Sequence, residues 1–179
     1  MVPILERLLA KTRAAFPKAR IRVRLDGGFG NPAVLDYLDT TGVEYVVGLA
    51  NWPALKKRAK KAQRLAIREY KRTGRTHQVF GETMFKTKTT WPHPRRVLYK
   101  AEVVDYPGRE PRQNLRFVVT NFRMSPKQTY QWYCKRGDPE NRIKELKHGL
   151  ELGRTSCSSF QANQLRVQIT AAEIGRAHV

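Results

Sequence analysis

One short segment carries residue types that could hold a metal ion beside phosphate groups. It reads Tyr133-x2-Arg136-x3-Glu140-x6-Lys147, and Lys144 adds a further cation. At about 100° per residue, the four spaced residues fall on one narrow face of a helix. A carboxylate flanked by cations and a phenol is a poor set for a hydrophobic core. It suits a site in which the carboxylate binds a divalent cation and the cations contact phosphates.

The same residues also have an ordinary structural explanation. Glu140 could be a first-turn acid, with Asp138 as the N-cap and Pro139 at the first helical position. Pro139 also disfavours one continuous helix, so Tyr133 and Arg136 could lie on a separate turn from Glu140.

A second candidate ligand, Asp26, follows an alternating segment. Ile21, Val23 and Leu25 face one way and the intervening arginines the other, which predicts a strand. Asp26 would close that strand at its carboxyl end, where open α/β sheets place ligands. A plain turn residue is the alternative, because Asp-Gly is common in turns. The Gly-Gly-Phe-Gly segment at 27–30 lacks the ending of a phosphate-binding loop and predicts a turn that passes close to the site.

The elements that position these acids follow from hydrophobic spacing. The first helix, at 3–15, is predicted to turn Ile4, Leu8 and Ala15 to one face. The order of helices and strands predicts an α/β layer with a partly parallel sheet. The later predicted elements are a helix from Asn31 to Leu38, a buried strand at 43–49, a helix at 54–72, a strand at 78–85, a hairpin at 97–122 that turns at Pro107-Gly108, a helical region from Ser125, and a final helix at 160–172 with Leu165 and Ile169 inward.

The charge balance predicts a polyanionic partner. The chain has 179 residues, with 35 Lys and Arg against 15 Asp and Glu, for a net charge of +20. The apolar fraction of 40% is adequate for a core, and the excess positive charge favours nucleic acid. In the helix at 54–72, nine of 19 residues are Lys or Arg and only Glu69 opposes them. A DNA-backbone contact is favoured over a solvated face, with its cations including Lys56, Lys57, Lys60 and Lys61.

Other classes of protein are disfavoured. No long apolar run predicts a membrane partner. Cys134 and Cys157 occur without a secretory signal, and the four histidines show no zinc spacing. These features indicate a reduced, cytoplasmic chain.

The Tyr-x2-Arg-x3-Glu-x6-Lys pattern, together with Arg-Leu-Asp-Gly-Gly-Phe around Asp26, resembles bacterial insertion-sequence DDE transposases. The resemblance implies an α/β, RNase H-like catalytic core that is partial, with its first strands missing, and a mostly β insertion. It implies that Asp26 and Glu140 are catalytic ligands of Mg²⁺ (or Mn²⁺). Tyr133, Arg136 and Lys147 would grip phosphates at the transposon end.

The resemblance also implies a division of the chain. Residues 1–50 would be the partial core, 51–127 the basic helix and β-hairpin insertion, and 128–172 the rest of the core with the Glu-bearing helix. Residues 173–179 match the translation of a common sequencing adapter and are interpreted as an artefactual tail. The first Asp of the family is expected upstream, so this chain is interpreted as an inactive C-terminal fragment of its parent enzyme.

The implied activity is metal-dependent cleavage and strand transfer in cut-and-paste transposition. The partners would be DNA, at transposon ends and target, and a second copy in the synaptic complex, in a nucleoid-associated location. Trp91 is expected either to touch a DNA base or to pack the hairpin. Asp36, Asp39 and Asp105 are interpreted as surface or turn acids. A non-catalytic nucleic-acid-binding protein and another RNase H-like nuclease are the competing interpretations.

Overall fold

The computed structural model describes residues 1–135, 141, 144 and 159–165. The chain forms two compact units, Met1–Cys134 and Lys135–Val179. In the second unit, residues 160–165 are helical. The first unit contains, in chain order, α1 (Val2–Ala15), β1 (Arg22–Leu25), a 3-10 turn (Gly27–Phe29), α2 (Pro32–Thr40), β2 (Glu44–Leu49), α3 (Pro53–Thr73), β3 (His77–Phe85), β4 (Arg95–Tyr106), β5 (Arg109–Thr120) and α4 (Pro126–Cys134).

Five strands form one mixed sheet in the order β1-β2-β5-β4-β3. Strands β1 and β2 are parallel, and the other pairs are antiparallel. This arrangement confirms the predicted α/β class with a partly parallel sheet. Because β5 pairs directly with β2, the sheet runs without a break from residues 1–50 into 51–127. The domain boundaries expected there stay predictions.

The sheet buries both of its faces, because successive residues of a strand point to opposite sides. On one side Val47 and Val97 pack with Leu35 of α2 and Leu55 of α3. On the other side a smaller cluster packs against α4, and it contains Val46, Leu98, Val118, Phe122 and Tyr130. Strand β2 is therefore buried from both sides, as its continuous apolar run predicts.

Local signals set the helix boundaries. Asn31 caps α2 by accepting a hydrogen bond from the Val34 amide at 3.0 Å, and Pro32 takes the first turn. Helix α3 ends at Gly74, whose φ of 64° is the left-handed conformation that favours glycine.

Two predicted helix faces are wrong. Helix α1 buries Leu5 and Leu9, whereas Ile4 and Leu8 are 57% and 56% exposed. Both pairs have a spacing of four, so helical periodicity fits either face. In the second unit Leu165, predicted inward, is 57% exposed; Ile169 lies outside the described residues.

Candidate nucleic-acid and metal site

Asp26 begins the turn that leaves the parallel strand β1. Its carboxylate Oδ1 accepts a hydrogen bond from the Gly28 amide at 2.7 Å and so caps the 3-10 turn. Asp26 therefore has the turn role that the sequence left open. It also lies at the carboxyl edge of the β1–β2 pair, where α/β sheets place ligands.

The turn after Asp26 lies directly against β2. A methyl group on Gly30 would lie 2.7 Å from the carbonyl oxygen of Gly48. A methyl group on Gly48 would lie 2.8 Å from the Gly27 amide nitrogen. Real Cβ atoms do not approach so closely, so glycine is required at both positions for the turn to sit here.

Tyr133 comes to the same place from the end of α4. Its hydroxyl oxygen would lie 2.7 Å from a methyl group on Gly48, which places the phenol beside the turn that follows Asp26. Tyr133 and Asp26 are 107 positions apart in the sequence. Tyr133 begins the Tyr-x2-Arg-x3-Glu-x6-Lys segment, and Asp26 follows the first strand. The fold thus brings Tyr133, the first residue of that segment, beside the turn that follows Asp26 at one edge of the sheet.

Arg24, a residue that sequence reasoning did not single out, holds the end of α4 over β1. Its guanidinium donates to the carbonyl of Trp132 at 2.8 Å and lies 5.1 Å from the centre of the Trp132 ring. The Trp132 ring packs in turn on Phe122 at 4.9 Å between centroids. The sequence could not predict this contact with Trp132, because the alternating pattern shows only that Arg24 lies on the polar face of its strand.

The rest of the predicted site is only partly described. Arg136, Glu140 and Lys147 lie outside the described residues. Lys144 is helical and exposed in the second unit. Among the residues that the structure describes, no three His, Cys, Asp or Glu side chains form a metal-binding group. Asp26 offers carboxylate oxygens of the kind that Mg²⁺ prefers, and its partnership with Glu140 stays a prediction.

Helix α3 has the two faces that its sequence predicts. Leu55, Ala59, Ala62 and Ala66 are buried against the sheet. The four predicted DNA-binding lysines are all exposed, and none makes an ion pair with a described residue: Lys56, Lys57, Lys60 and Lys61. With 21 residues the helix is about 30 Å long. It presents an extended basic surface of a length that suits a duplex backbone.

Trp91 is 2% exposed and packs in an aromatic cluster, which corrects the expectation that it touches a DNA base. Its ring lies 5.8 Å from that of Trp52 and 5.9 Å from that of Phe85, both edge to face. The guanidinium of Arg95 lies 5.0 Å from the centre of the Trp91 ring. The structure favours the packing alternative, because no face of the ring is open to a base.

Asp36 and Asp39, interpreted from sequence as surface or turn acids, belong to a structural network that joins α2 to β4. Asp39 accepts hydrogen bonds from Tyr45 Oη at 2.7 Å and Arg95 Nε at 2.8 Å, and His93 Nε2 lies 3.0 Å away. Arg95 Nη2 also donates to Asp36 at 2.5 Å. Burial and the hydrogen bond to Asp39 raise the pKa of the Tyr45 phenol. We call Asp36, Asp39, Tyr45, His93 and Arg95 the α2–β4 network.

The first unit is therefore an α/β protein with a carboxylate at the carboxyl edge of parallel strands and a separate basic helix. The chain belongs to the transposase DDE domain group 1 family, whose model matches residues 1–174. No curated protein and no solved structure matches the chain. The family confirms the predicted DDE transposase and its DNA-related role, and the Tyr-Arg-Glu-Lys subtype stays a prediction. No helix in the described part of the chain combines the length and apolar composition needed to cross a membrane.

Proposed function

We propose that this chain is part of the catalytic domain of a DDE transposase of the Tyr-Arg-Glu-Lys type with an RNase H-like core. The parent enzyme cleaves the strand at the element's end and joins the 3′-hydroxyl to target DNA. Membership of the family supports the reaction class. The observation that carries the site is the meeting of Tyr133 with the turn that follows Asp26.

In this proposal Asp26 and Glu140 bind Mg²⁺ or Mn²⁺, and a third carboxylate comes from another part of the parent enzyme. When bound, the metal activates the attacking oxygen and stabilises the leaving oxygen. The Tyr133 hydroxyl donates to a phosphate oxygen beside Asp26. Arg136, Lys144 and Lys147 contribute the charge-assisted phosphate contacts.

The basic face of α3 supplies the affinity for duplex that is independent of sequence. Its lysines are exposed and have no carboxylate partner among the described residues. Phosphates can therefore neutralise them without breaking an internal ion pair, and counterion release adds to the binding free energy. In the cell this surface holds the protein on bacterial DNA, and the synaptic complex contains a second copy of the chain.

The sharpest experiment uses the parent protein, with the region encoded upstream restored, and DNA from the element's end. We expect Mg²⁺-dependent nicking that Asp26→Asn and Glu140→Gln each reduce by about 100-fold or more, with end binding retained. Asn at position 26 keeps an oxygen that can cap the turn, so the fold should survive. Asp105→Asn is the matched control, because Asp105 is an exposed acid that accepts a hydrogen bond from Tyr70.

Two further results complete the test. Arg136→Ala should weaken end binding before it affects cleavage, since the guanidinium is assigned to a phosphate and not to the metal. Residues 1–179 alone should bind DNA without cleaving it, because two carboxylates do not complete a DDE site. Nicking that persists unchanged in Asp26→Asn and Glu140→Gln would show that the acidic site is misassigned. Binding with no cleavage by the restored parent would favour the non-catalytic alternative.

A further inference from the structure

The turn between β4 and β5 lies at the end of a long projecting hairpin. Pairing with β3 begins at His77, opposite Val103, and pairing with β2 ends at Phe117, opposite Leu49. Residues 104–112 therefore extend beyond both neighbouring strands. Every residue from 105 to 113 is exposed. We call residues 104–116, the tip and its base, the hairpin arm.

The hairpin arm leaves the sheet at the edge that carries Asp26. Strands β1 and β2 run in parallel toward this edge, and the glycine contacts at Gly48 mark it. Because β5 is antiparallel to β2, the residues of β5 that precede Phe117 continue past the end of β2. The arm therefore extends outward from the neighbourhood of the candidate site and not from the opposite end of the sheet.

Strand register decides which side chains share a face of the arm. Arg116 is opposite Lys100, whose ammonium lies 5.2 Å from the centre of the Tyr130 ring in α4. Further out, the same face continues to Arg112, which is opposite Val104, and then, across a register shift, to Arg109, which is opposite Tyr106. This face is on the α4 side of the sheet, the side from which Tyr133 approaches Gly48.

The acids at the tip of the arm lie toward its other face. Asp105 is on the α3 side, where it accepts a hydrogen bond from Tyr70 Oη at 3.1 Å. Across the register shift between the Val104–Arg112 and Tyr106–Arg109 pairs, residues 110 and 111 lie opposite Asp105, so Glu110 is on the α3 side too. Burial and the negative charges of Asp105 and Glu110 raise the pKa of the Tyr70 phenol. The tip therefore turns its negative charge toward α3.

On the α4 side of the arm, no acid of the described residues pairs with the arginines. Among the described residues, the acid near the base on this side is Glu102, which is buried and held by Lys100 at 2.7 Å and Gln78 at 3.0 Å. Among the described residues, none makes an ion pair with the three arm arginines: Arg109, Arg112 and Arg116. The two faces of the arm thus differ in charge.

The spacing of these cations fits a nucleic-acid backbone. At about 3.4 Å per residue, the interval from Arg109 to Arg116 spans about 24 Å. Successive phosphates of one DNA strand are spaced by about 3.4 Å along the helix axis, so the three guanidiniums can reach phosphates over about seven nucleotides. Tyr106 is 42% exposed at the outer end of the row, where its hydroxyl can donate to a further phosphate.

We propose that the hairpin arm is a second DNA-binding surface, in which Arg109, Arg112, Arg116 and Tyr106 bind phosphates of the duplex that extends from the Asp26 edge. The proposal rests on the proposed function, since it takes DNA as the substrate at that edge. It is separate from the basic face of α3, which lies on the opposite side of the sheet. The duplex would follow the α4 side of the arm outward.

The test compares two triple variants that have the same reduced charge. Arg109→Gln, Arg112→Gln and Arg116→Gln together remove three cations from the arm. The control removes three exposed cations from α1 and the segment after it, with Arg7→Gln, Lys11→Gln and Lys18→Gln. Binding of residues 1–179 to a fluorescent duplex of unrelated sequence is measured against KCl concentration, and tryptophan fluorescence checks folding.

The plot of log K against log salt has a negative slope. We expect the arm variant to reduce the magnitude of this slope by about 2 to 3, or about 0.9 for each phosphate that is no longer neutralised. The control should change the slope by less than about 1. Tyr106→Phe should weaken binding by about threefold, the effect of one hydrogen bond. Equal slopes for the two triple variants would overturn the proposal, because net charge alone would then explain them.

Failure of the arm can be told apart from failure of the proposed function. If the arm variant binds like the original chain while removal of the α3 lysines weakens binding, DNA remains the partner and the arm proposal is wrong. If the original chain shows no salt-dependent binding to duplex, the DNA-binding role itself is wrong, and the arm proposal falls with it.

Discussion

The α2–β4 network and the basic face of α3 use charged residues in opposite ways. In the network the side chain of Arg95 is 2% exposed, and its guanidinium is held by Asp36 and Asp39. On α3 the cations at Lys56 and Lys60 are exposed, and neither makes an ion pair with a described carboxylate. The first region pairs its buried cation with carboxylates of the protein. The second leaves its charges for a polyanion.

The two arrangements differ in what they contribute to folding. A buried charge is tolerated only when partners satisfy it, and removing one partner leaves the other charge uncompensated. Exposed like charges four residues apart on a helix, such as Lys57 and Lys61, instead destabilise it by about 0.2–0.5 kcal/mol for each pair. Stability should therefore depend on the network and binding on α3, and substitutions can separate the two properties.

Trp91→Ala should have the largest effect, and on stability alone. The ring is buried against Trp52 and Phe85 and beneath Arg95, and removing a buried Trp costs about 3–5 kcal/mol. The fluorescence of Trp52 and Trp132 reports unfolding of the first unit in urea. DNA affinity, measured where the variant is still folded, should not change. A stable variant with weakened DNA binding would restore Trp91 as a base contact.

Arg95→Ala should destabilise the first unit by about 3 kcal/mol, the lower end of the range for a broken buried ion pair, because Asp36 is 44% exposed. The exposed Arg58→Ala, which removes one hydrogen bond to Thr83, is the control and should change stability by less than about 0.5 kcal/mol. Urea unfolding of the two variants gives the comparison. Equal midpoints would show that the network adds nothing beyond an ordinary surface arginine.

The quadruple variant of α3, with Gln in place of Lys56, Lys57, Lys60 and Lys61, should behave in the reverse way. The magnitude of the negative slope of log K against log salt should decrease by about 2 to 4, in proportion to the number of phosphates that the helix no longer neutralises. The free energy of unfolding should stay unchanged or increase slightly, because like-charge repulsion along the helix is relieved. An unchanged salt slope would identify this face as solvated surface with no part in binding.

The sequence predicted the features that depend on local pattern. The position of Asp26 after a strand, the buried face of α3 at Leu55 and Ala59, and the hairpin at Pro107-Gly108 follow from spacing and turn chemistry. The α2–β4 network could not be predicted, because Arg95 and Asp39 are 56 positions apart and meet only when β4 packs beside α2.

The same limit applies at the candidate site and in the first helix. The alternating pattern placed Arg24 on the polar face of its strand. In the structure its guanidinium donates to the carbonyl of Trp132, 108 positions away. In α1 the sequence offers two apolar stripes, and only packing chooses Leu5 over Ile4. Each miss concerns a contact between distant segments, where local periodicity carries no information on the partner.

Glu44 provides an intermediate case, an ion pair that is formed but partly exposed. Partial burial tends to raise its pKa, but hydrogen bonds from Arg22, at 2.8 Å, and from Arg20 outweigh this and hold the pKa of the Glu44 carboxyl below its usual 4.5. Because the folded-state pKa is lowered, this contribution to stability is present above pH 4.5 and is lost as the pH falls through the folded-state pKa. The side chain is 22% exposed, so the pair is worth less than about 1 kcal/mol.

Glu44→Gln should therefore be less stable than the original chain at about pH 7, and the difference should shrink as the pH is lowered below 4.5 and the carboxyl becomes protonated. Urea unfolding at about pH 7 and at a series of lower pH values measures the difference, and high salt at neutral pH should shrink it because the pair is partly exposed. A difference that stays the same size at every pH would mean that Glu44 joins β1 to β2 by packing and hydrogen bonding. Its charge would then matter as little to folding as an unpaired lysine of α3.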